Sequence, residues 1–183
     1  MCSSDLGALL VRRLMDLSES RQAGLVDCAE AVAATARRAR LAAPRSVAVE
    51  VRVSDAPLRA ALDGAGLESA LLNLCVNASH AIPAGGTIML TAQEWILADL
   101  EAQDMNLRAG RYVVVSVADT GPGMAPEVLA QATEAVFTTR RGRGGSGLGL
   151  AGVRDFAEAC GGRFVLTSRE GRGATARLFL PSA

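Results

Sequence analysis

Between Pro44 and Pro83 the hydrophobic pattern changes period, and this change restricts the fold more than any other feature of the chain. Val47, Val49, Val51 and Val53 alternate with Ala48, Glu50 and Arg52, the two-residue repeat of a strand with one buried face. Residues 67–82 form instead a long apolar segment, preceded by Gly64 and Gly66 and stopped by Pro83, which reads as a helix. At about 100° per residue, Leu67, Leu71, Leu74, Cys75, Ala78 and Ile82 fall within one arc of about 100°. That arc faces a sheet. Half of the 183 residues are hydrophobic but only 3% are aromatic, so the core is built from Leu, Val, Ile and Ala, and intrinsic disorder is excluded.

Against roughly 150 residues per domain, the length indicates one domain with a short appendage. Residues 6–20 space their apolar positions as a helix does, and the Ala-rich residues 27–42 form a second helix with Asp27 as its N-cap. Residues 58–62 are a short strand, and residues 87–97 and 111–118 are longer ones, separated by a polar, acidic insert, 98–110, expected as an elaborated hairpin loop. Residues 126–132 make a short helix with Pro126 at its start, and residues 148–160 another, closed by Gly161 and Gly162. Residues 163–168 and 174–180 pair as a hairpin around Glu170-Gly171-Arg172-Gly173. The expected fold is α/β, a two-layer sandwich with a mixed, mostly antiparallel sheet covered on one face by helices.

Several function classes fall away on composition. The 19 basic residues are all Arg and balance 19 acidic ones, which argues against general affinity for nucleic acid or an anionic membrane. The four cysteines, Cys2, Cys28, Cys75 and Cys160, form no CxxC pair and have no histidine placed to complete a zinc site. They read as reduced thiols. No apolar run reaches the ~20 residues of a membrane span and no secretion signal opens the chain, so a soluble cytoplasmic protein is expected.

Three segments carry chemistry. Asn73, Asn77 and His80 fall together on the helix face opposite the apolar arc, where the asparagines are either a solvated surface or a pair of amide ligands. Asp119-Thr120-Gly121-Pro122-Gly123-Met124 ends an apolar strand with a carboxylate and turns on two glycines that let the backbone pass close to a ligand. Gly145-Ser146-Gly147-Leu148-Gly149-Leu150 runs into a helix behind Arg140, Arg141 and Arg143. Unpaired N–H groups and the positive end of the helix dipole suit phosphate there. Neither the Lys-Ser/Thr ending of a P-loop nor the preceding strand of a dinucleotide fingerprint is present. With three arginines and five glycines, residues 138–149 read as a mobile loop.

In this order and at these separations the segments resemble the ATP-binding module of the gyrase, Hsp90, histidine kinase and MutL superfamily, with its Bergerat-type fold, and most of all bacterial sensor histidine kinases. Residues 67–78 resemble the N box, residues 119–123 the G1 box, Phe137-Thr138-Thr139-Arg140 the F box, and residues 145–150 the G2 box. The resemblance implies ATP and Mg²⁺ as cofactors. It assigns Asp119 to the adenine amino group, with Gly121, Gly123 and Met124 beside the base. It assigns Asn77 to Mg²⁺, and Asn73 to the phosphates or the metal. Phe137, Thr138, Thr139, Arg140, Gly145, Ser146, Gly147, Leu148 and Gly149 belong to the lid and phosphate cradle, Arg140 standing where many relatives carry Lys. His80 either touches phosphate or is a solvated helix-end histidine.

Serine kinases and ATPases of the superfamily resemble one another in a Glu four residues before the metal-binding Asn. Here that position is Asn73, and an amide cannot take a proton from water or serine. A neutral imidazole attacks with its own lone pair and needs no such base. Glu68 lies about 180° around the helix from Asn77. His80 is the only histidine and lacks the acidic neighbour of a phosphoacceptor, so the accepting histidine belongs to a phosphotransfer helix outside this chain, in cis in a full-length protein or in trans. Residues 1–26 are expected to be a partial helix left from a dimerisation and phosphotransfer hairpin, and residues 27–183 the catalytic domain. The expected activity is that of a two-component histidine kinase with a response regulator as partner, no membrane contact by this chain, and a homodimer only at full length. The alternatives are a non-catalytic ATP-sensing or scaffold module, favoured by the thinned F box, and an ATPase or anti-sigma-type serine kinase using some other base.

Overall fold

The two periods become two layers. The computed structural model describes residues 23–82, 84–132 and 149–183. In chain order these are strand β1 (Gly24–Asp27), helix α1 (Cys28–Ala42), β2 (Val47–Val53), β3 (Arg59–Leu62), α2 (Gly64–Ala81), β4 (Gly86–Leu97), α3 (Asp99–Asp104), β5 (Gly110–Asp119), α4 (Pro126–Gln131), α5 (Gly149–Ala159), β6 (Arg163–Ser168) and β7 (Ala174–Pro181). The helix expected at residues 6–20 lies outside the described residues.

Five strands form one sheet in the order β2-β4-β5-β7-β6. Only β2 and β4 run parallel, with Val47 opposite Gly86. The other pairs are antiparallel, with Ile88 opposite Asp119 on β4 and β5, and Val115 opposite Leu178 on β5 and β7. This is the mixed, mostly antiparallel sheet expected from the sequence. One face carries Ile88, Leu90 and Ala92 of β4, Val113, Val115 and Val117 of β5, and Ala176, Leu178 and Leu180 of β7. They pack in a single core with Val32 and Ala36 of α1, Leu67, Leu71, Leu74 and Cys75 of α2, and Val153, Phe156 and Ala157 of α5. Asp27 caps α1 as expected, its Oδ1 accepting the N–H groups of Ala29 at 2.9 Å and Glu30 at 3.3 Å.

Three local readings change. α2 begins at Gly64, capped by Asp63 Oδ1 on the Ala65 N–H at 3.0 Å, so Gly66 lies inside the helix. A Cβ there would stand 2.7 Å from the Phe156 ring of α5; the close crossing of the two helices selects glycine. β1 pairs antiparallel with β3 in a separate two-stranded sheet. The insert between β4 and β5 is more than a loop. It folds as α3, and Leu97, Ala102, Tyr112, Val114 and Phe179 make a second small core on the opposite face of the sheet, with Met105 and Leu107 packed against it.

Candidate nucleotide site

The two faces of α2 are sorted as the 3.6-residue period requires. Leu67, Ala70, Leu71, Leu74, Cys75 and Ala78 are buried, whereas Asn73, Asn77 and His80 are exposed. Asn77 lies against the start of α5, its Nδ2 3.4 Å from the place a Cβ on Gly149 would take. Asn77 therefore borders the N-terminal end of the described part of α5, the end at which a helix dipole is positive. Glu68 forms an ion pair with Arg38 of α1, which keeps it on the helix–helix side and away from Asn77. Phe137, Thr138, Thr139, Arg140, Gly145, Ser146, Gly147 and Leu148 lie outside the described residues.

At the end of β5, Asp119 is partly buried. Its Oδ1 accepts the N–H of Gly121 at 2.8 Å and that of Ala174 at 3.4 Å. Burial pushes its carboxyl above the ordinary value and the two N–H groups pull it part of the way back, leaving a net rise. Gly121 passes close to the end of α2, where a Cβ would stand 2.8 Å from the carbonyl oxygen of Ala81. The turn that follows Asp119 thus packs closely against the end of the Asn77 helix at Gly121. Thr120 ties the turn to β4: its Oγ1 accepts the Thr87 N–H at 2.9 Å and its own N–H donates to the Thr87 carbonyl at 3.1 Å.

The turn between β6 and β7 completes this arrangement, and sequence reasoning read it only as a hairpin. Gly171 N–H donates to the Pro122 carbonyl at 2.7 Å. Met124 N–H donates to Ser168 Oγ at 2.9 Å, and the Ser168 hydroxyl donates to the Gly173 carbonyl at 2.8 Å. Gly123 and Gly173 have φ of +71° and +75°. A Cβ at Gly123 would strike the Arg169 carbonyl, and one at Gly173 the Asp119 carbonyl. Gly173 is the one local signal in this hairpin of a close approach to another piece of backbone.

A half-buried acceptor beside a glycine-containing turn and the N-terminal end of a helix next to an exposed amide suit a ligand with a hydrogen-bond donor at one end and anionic oxygens at the other. No group of three or more His, Cys, Asp or Glu side chains converges among the described residues. A hard cation at Asn77 would therefore be held by the amide oxygen together with the ligand's own oxygens, a donor set that suits Mg²⁺. The core thiols take no part: burial raises Cys28 to about 12 and Cys75 to about 11. No helix among the described residues is long and apolar enough to cross a membrane.

Comparison with known proteins gives a consistent answer. Residues 62–183 match the family described as histidine kinase-, DNA gyrase B-, and HSP90-like ATPase. The chain is 38% identical over 115 residues to the sensor kinase CckA of Brucella abortus, covering 62% of this chain and 12% of that protein. It is 34% identical over 137 residues to the sensor histidine kinase ZraS of Salmonella typhimurium, covering 75% of this chain and 26% of that one. The crystal structure of full-length ShkA in complex with AMPPNP is similar with a TM-score of 0.68 and 30% identity, over 90% of this chain and 32% of ShkA. The chain thus spans about an eighth to a quarter of the length of the two curated relatives.

Proposed function

The chain belongs to the histidine kinase-, DNA gyrase B- and HSP90-like ATPase family, as the ATP-binding catalytic domain of a sensor histidine kinase, and from that premise we propose that it directs the γ-phosphate of Mg²⁺-ATP onto a histidine of a phosphotransfer helix. The observation that carries the reading is the bonding of Asp119. With Oδ1 held by two backbone N–H groups, the carboxylate presents its other oxygen to the exocyclic amine of adenine, and Gly121 and Gly123 let the turn pack against the Ala81 and Arg169 carbonyls. Met124 follows in the same turn and lies beside the base. Asn77 supplies an amide oxygen to Mg²⁺, whose chemistry is to draw charge off the phosphate oxygens. Asn73, one turn earlier on the same exposed face, assists at the phosphates or the metal, and His80 lies on that face as well.

The opening N–H groups of α5 receive phosphate oxygens at Gly149. Arg140, Gly145, Ser146, Gly147 and Leu148, with Phe137, Thr138 and Thr139, are assigned to the lid and phosphate cradle. No carboxylate stands beside Asn77 on the exposed face of α2: Asn73, one turn earlier, is an amide, and Glu68 is engaged by Arg38. An incoming imidazole needs no such base. Its ring nitrogen forms the bond to phosphorus with its own lone pair as the bond to the ADP oxygen breaks. The partners are then a histidine-bearing helical hairpin, in cis at full length or in trans, and a response regulator, with the domain in the cytoplasm.

The test is calorimetry with ATP and GTP, with and without Mg²⁺, followed by phosphotransfer to a panel of histidine-bearing hairpins. Mg²⁺-dependent preference for ATP and acid-labile, base-stable label on a hairpin are the expected results. Equal affinity for the two nucleotides would remove the role of Asp119. Tight ATP binding with no phosphohistidine on any hairpin would favour a sensing or scaffold module.

A further inference from the structure

We propose that Ser168 is a positioning residue for nucleotide selectivity, acting on Asp119 through the peptide between Gly173 and Ala174. The inference rests on the nucleotide reading above. Ser168 is the last residue of β6, and its hydroxyl bridges two backbone segments. It accepts the Met124 N–H at 2.9 Å and donates its own proton to the Gly173 carbonyl at 2.8 Å. A hydroxyl is the smallest side chain able to do both.

The Gly173 carbonyl and the Ala174 N–H belong to one planar peptide unit and point in opposite directions from it. Fixing the carbonyl on Ser168 therefore aims the N–H, which donates to Asp119 Oδ1 at 3.4 Å. The same hydroxyl holds Met124, immediately after Gly123. Ser168 thus fixes both the peptide that commits Asp119 Oδ1 and the turn that passes the base. The 3.4 Å bond is the longer of the two on Asp119 and depends on a hairpin turn whose Glu170, Gly171 and Arg172 are exposed. The Gly173 carbonyl also accepts the Arg169 N–H, at a longer 3.3 Å, so without the Ser168 bridge the peptide keeps only that weaker hold and the Ala174 N–H is aimed less firmly at Asp119.

The consequence is read in selectivity. A carboxylate held less firmly pairs less well with the adenine amine and discriminates less against a base that lacks it. In the full chain, Ser168→Ala is expected to weaken ATP binding about tenfold, to narrow the ratio of ATP to GTP affinity, and to speed hydrogen exchange at the Ala174 amide. Ser168→Thr, which keeps the hydroxyl, restores all three. A purely structural role would lower the melting temperature and leave the affinity ratio of the folded protein unchanged. Ser168→Cys, close in shape but a weak donor, carries the same measurements if Ser168→Ala does not fold. Wild-type affinity and selectivity in the folded Ala or Cys variant overturn the proposal while leaving the nucleotide site standing. Failure of the wild-type chain to bind ATP would overturn the nucleotide reading itself.

Discussion

Glu68 of α2 is ion-paired with Arg38 of α1, so the one carboxylate in residues 67–78 lies between two helices and not at the exposed face that carries Asn73 and Asn77. Both partners are partly exposed, and such pairs contribute at most about 1 kcal/mol. Their importance here is geometric, because the pairing holds the carboxylate on the far side of the helix from Asn77.

Placing a carboxylate on the other face should therefore matter more than freeing this one. Asn73→Glu is expected to raise ATP hydrolysis by roughly a hundredfold, the low end of what a positioned base supplies. Arg38→Ala is expected to leave hydrolysis unchanged. Release of phosphate in the isolated chain measures both. Fast hydrolysis in Arg38→Ala, or none gained in Asn73→Glu, would contradict the account of why the wild-type chain should hydrolyse ATP slowly.

Asp119 gives a pH signature with opposite signs for stability and binding. Burial holds its carboxyl above the ordinary 3.8 in the folded chain, so the native state binds that proton more readily than the unfolded state does. Its contribution to stability is fully present below the ordinary carboxylate range and is lost as pH rises through the raised value. Asp119→Asn, which keeps an acceptor for the two N–H groups without the charge, should melt higher than wild type at neutral pH without nucleotide. The same variant should lose roughly 10- to 100-fold in ATP affinity, because its amide N–H₂ would face the adenine amine. Calorimetric melting and titration test the two halves separately. ATP affinity in the wild type should fall as acid protonates Asp119.

Asn77→Ala should leave the fold intact, since the side chain is exposed and surface truncations cost about 0.5 kcal/mol or less. It should abolish the Mg²⁺-dependent part of ATP binding. Circular dichroism and a Mg²⁺ titration at fixed ATP are sufficient. Full metal dependence in the variant would remove Asn77 from the ligand set.

Gly173→Ala should be among the most damaging single changes in the chain. The position needs a φ of +75°, and the new methyl would strike the Asp119 carbonyl. A loss of roughly 2 kcal/mol or more is expected, with ATP binding weakened even where the protein remains folded. Gly171→Ala meets no neighbour within 4 Å at a φ of +73° and should cost less. Urea denaturation of the pair separates collision from backbone strain.

The sequence by itself determined the features that depend on neighbours a few positions apart. Helical periodicity sorts α2 into a buried arc and the exposed Asn73, Asn77 and His80, because side chains three and four residues apart share a face. Strand alternation and two glycines mark Asp119 as a carboxylate at the end of a strand. What only the tertiary structure decided is which distant backbone meets those groups. Ser168 lies 44 positions from Met124, and Ala174 lies 55 from Asp119; both bonds exist because β7 inserts between β5 and β6 in the sheet. Strand order is set by the shared core and by non-local pairing. The four residues of β1 become a strand only by pairing with β3, and the 98–110 insert becomes α3 only because Tyr112, Val114 and Phe179 offer it an apolar face. Local propensity carries no trace of either partner, because the stabilising contacts lie on chain segments far away in sequence.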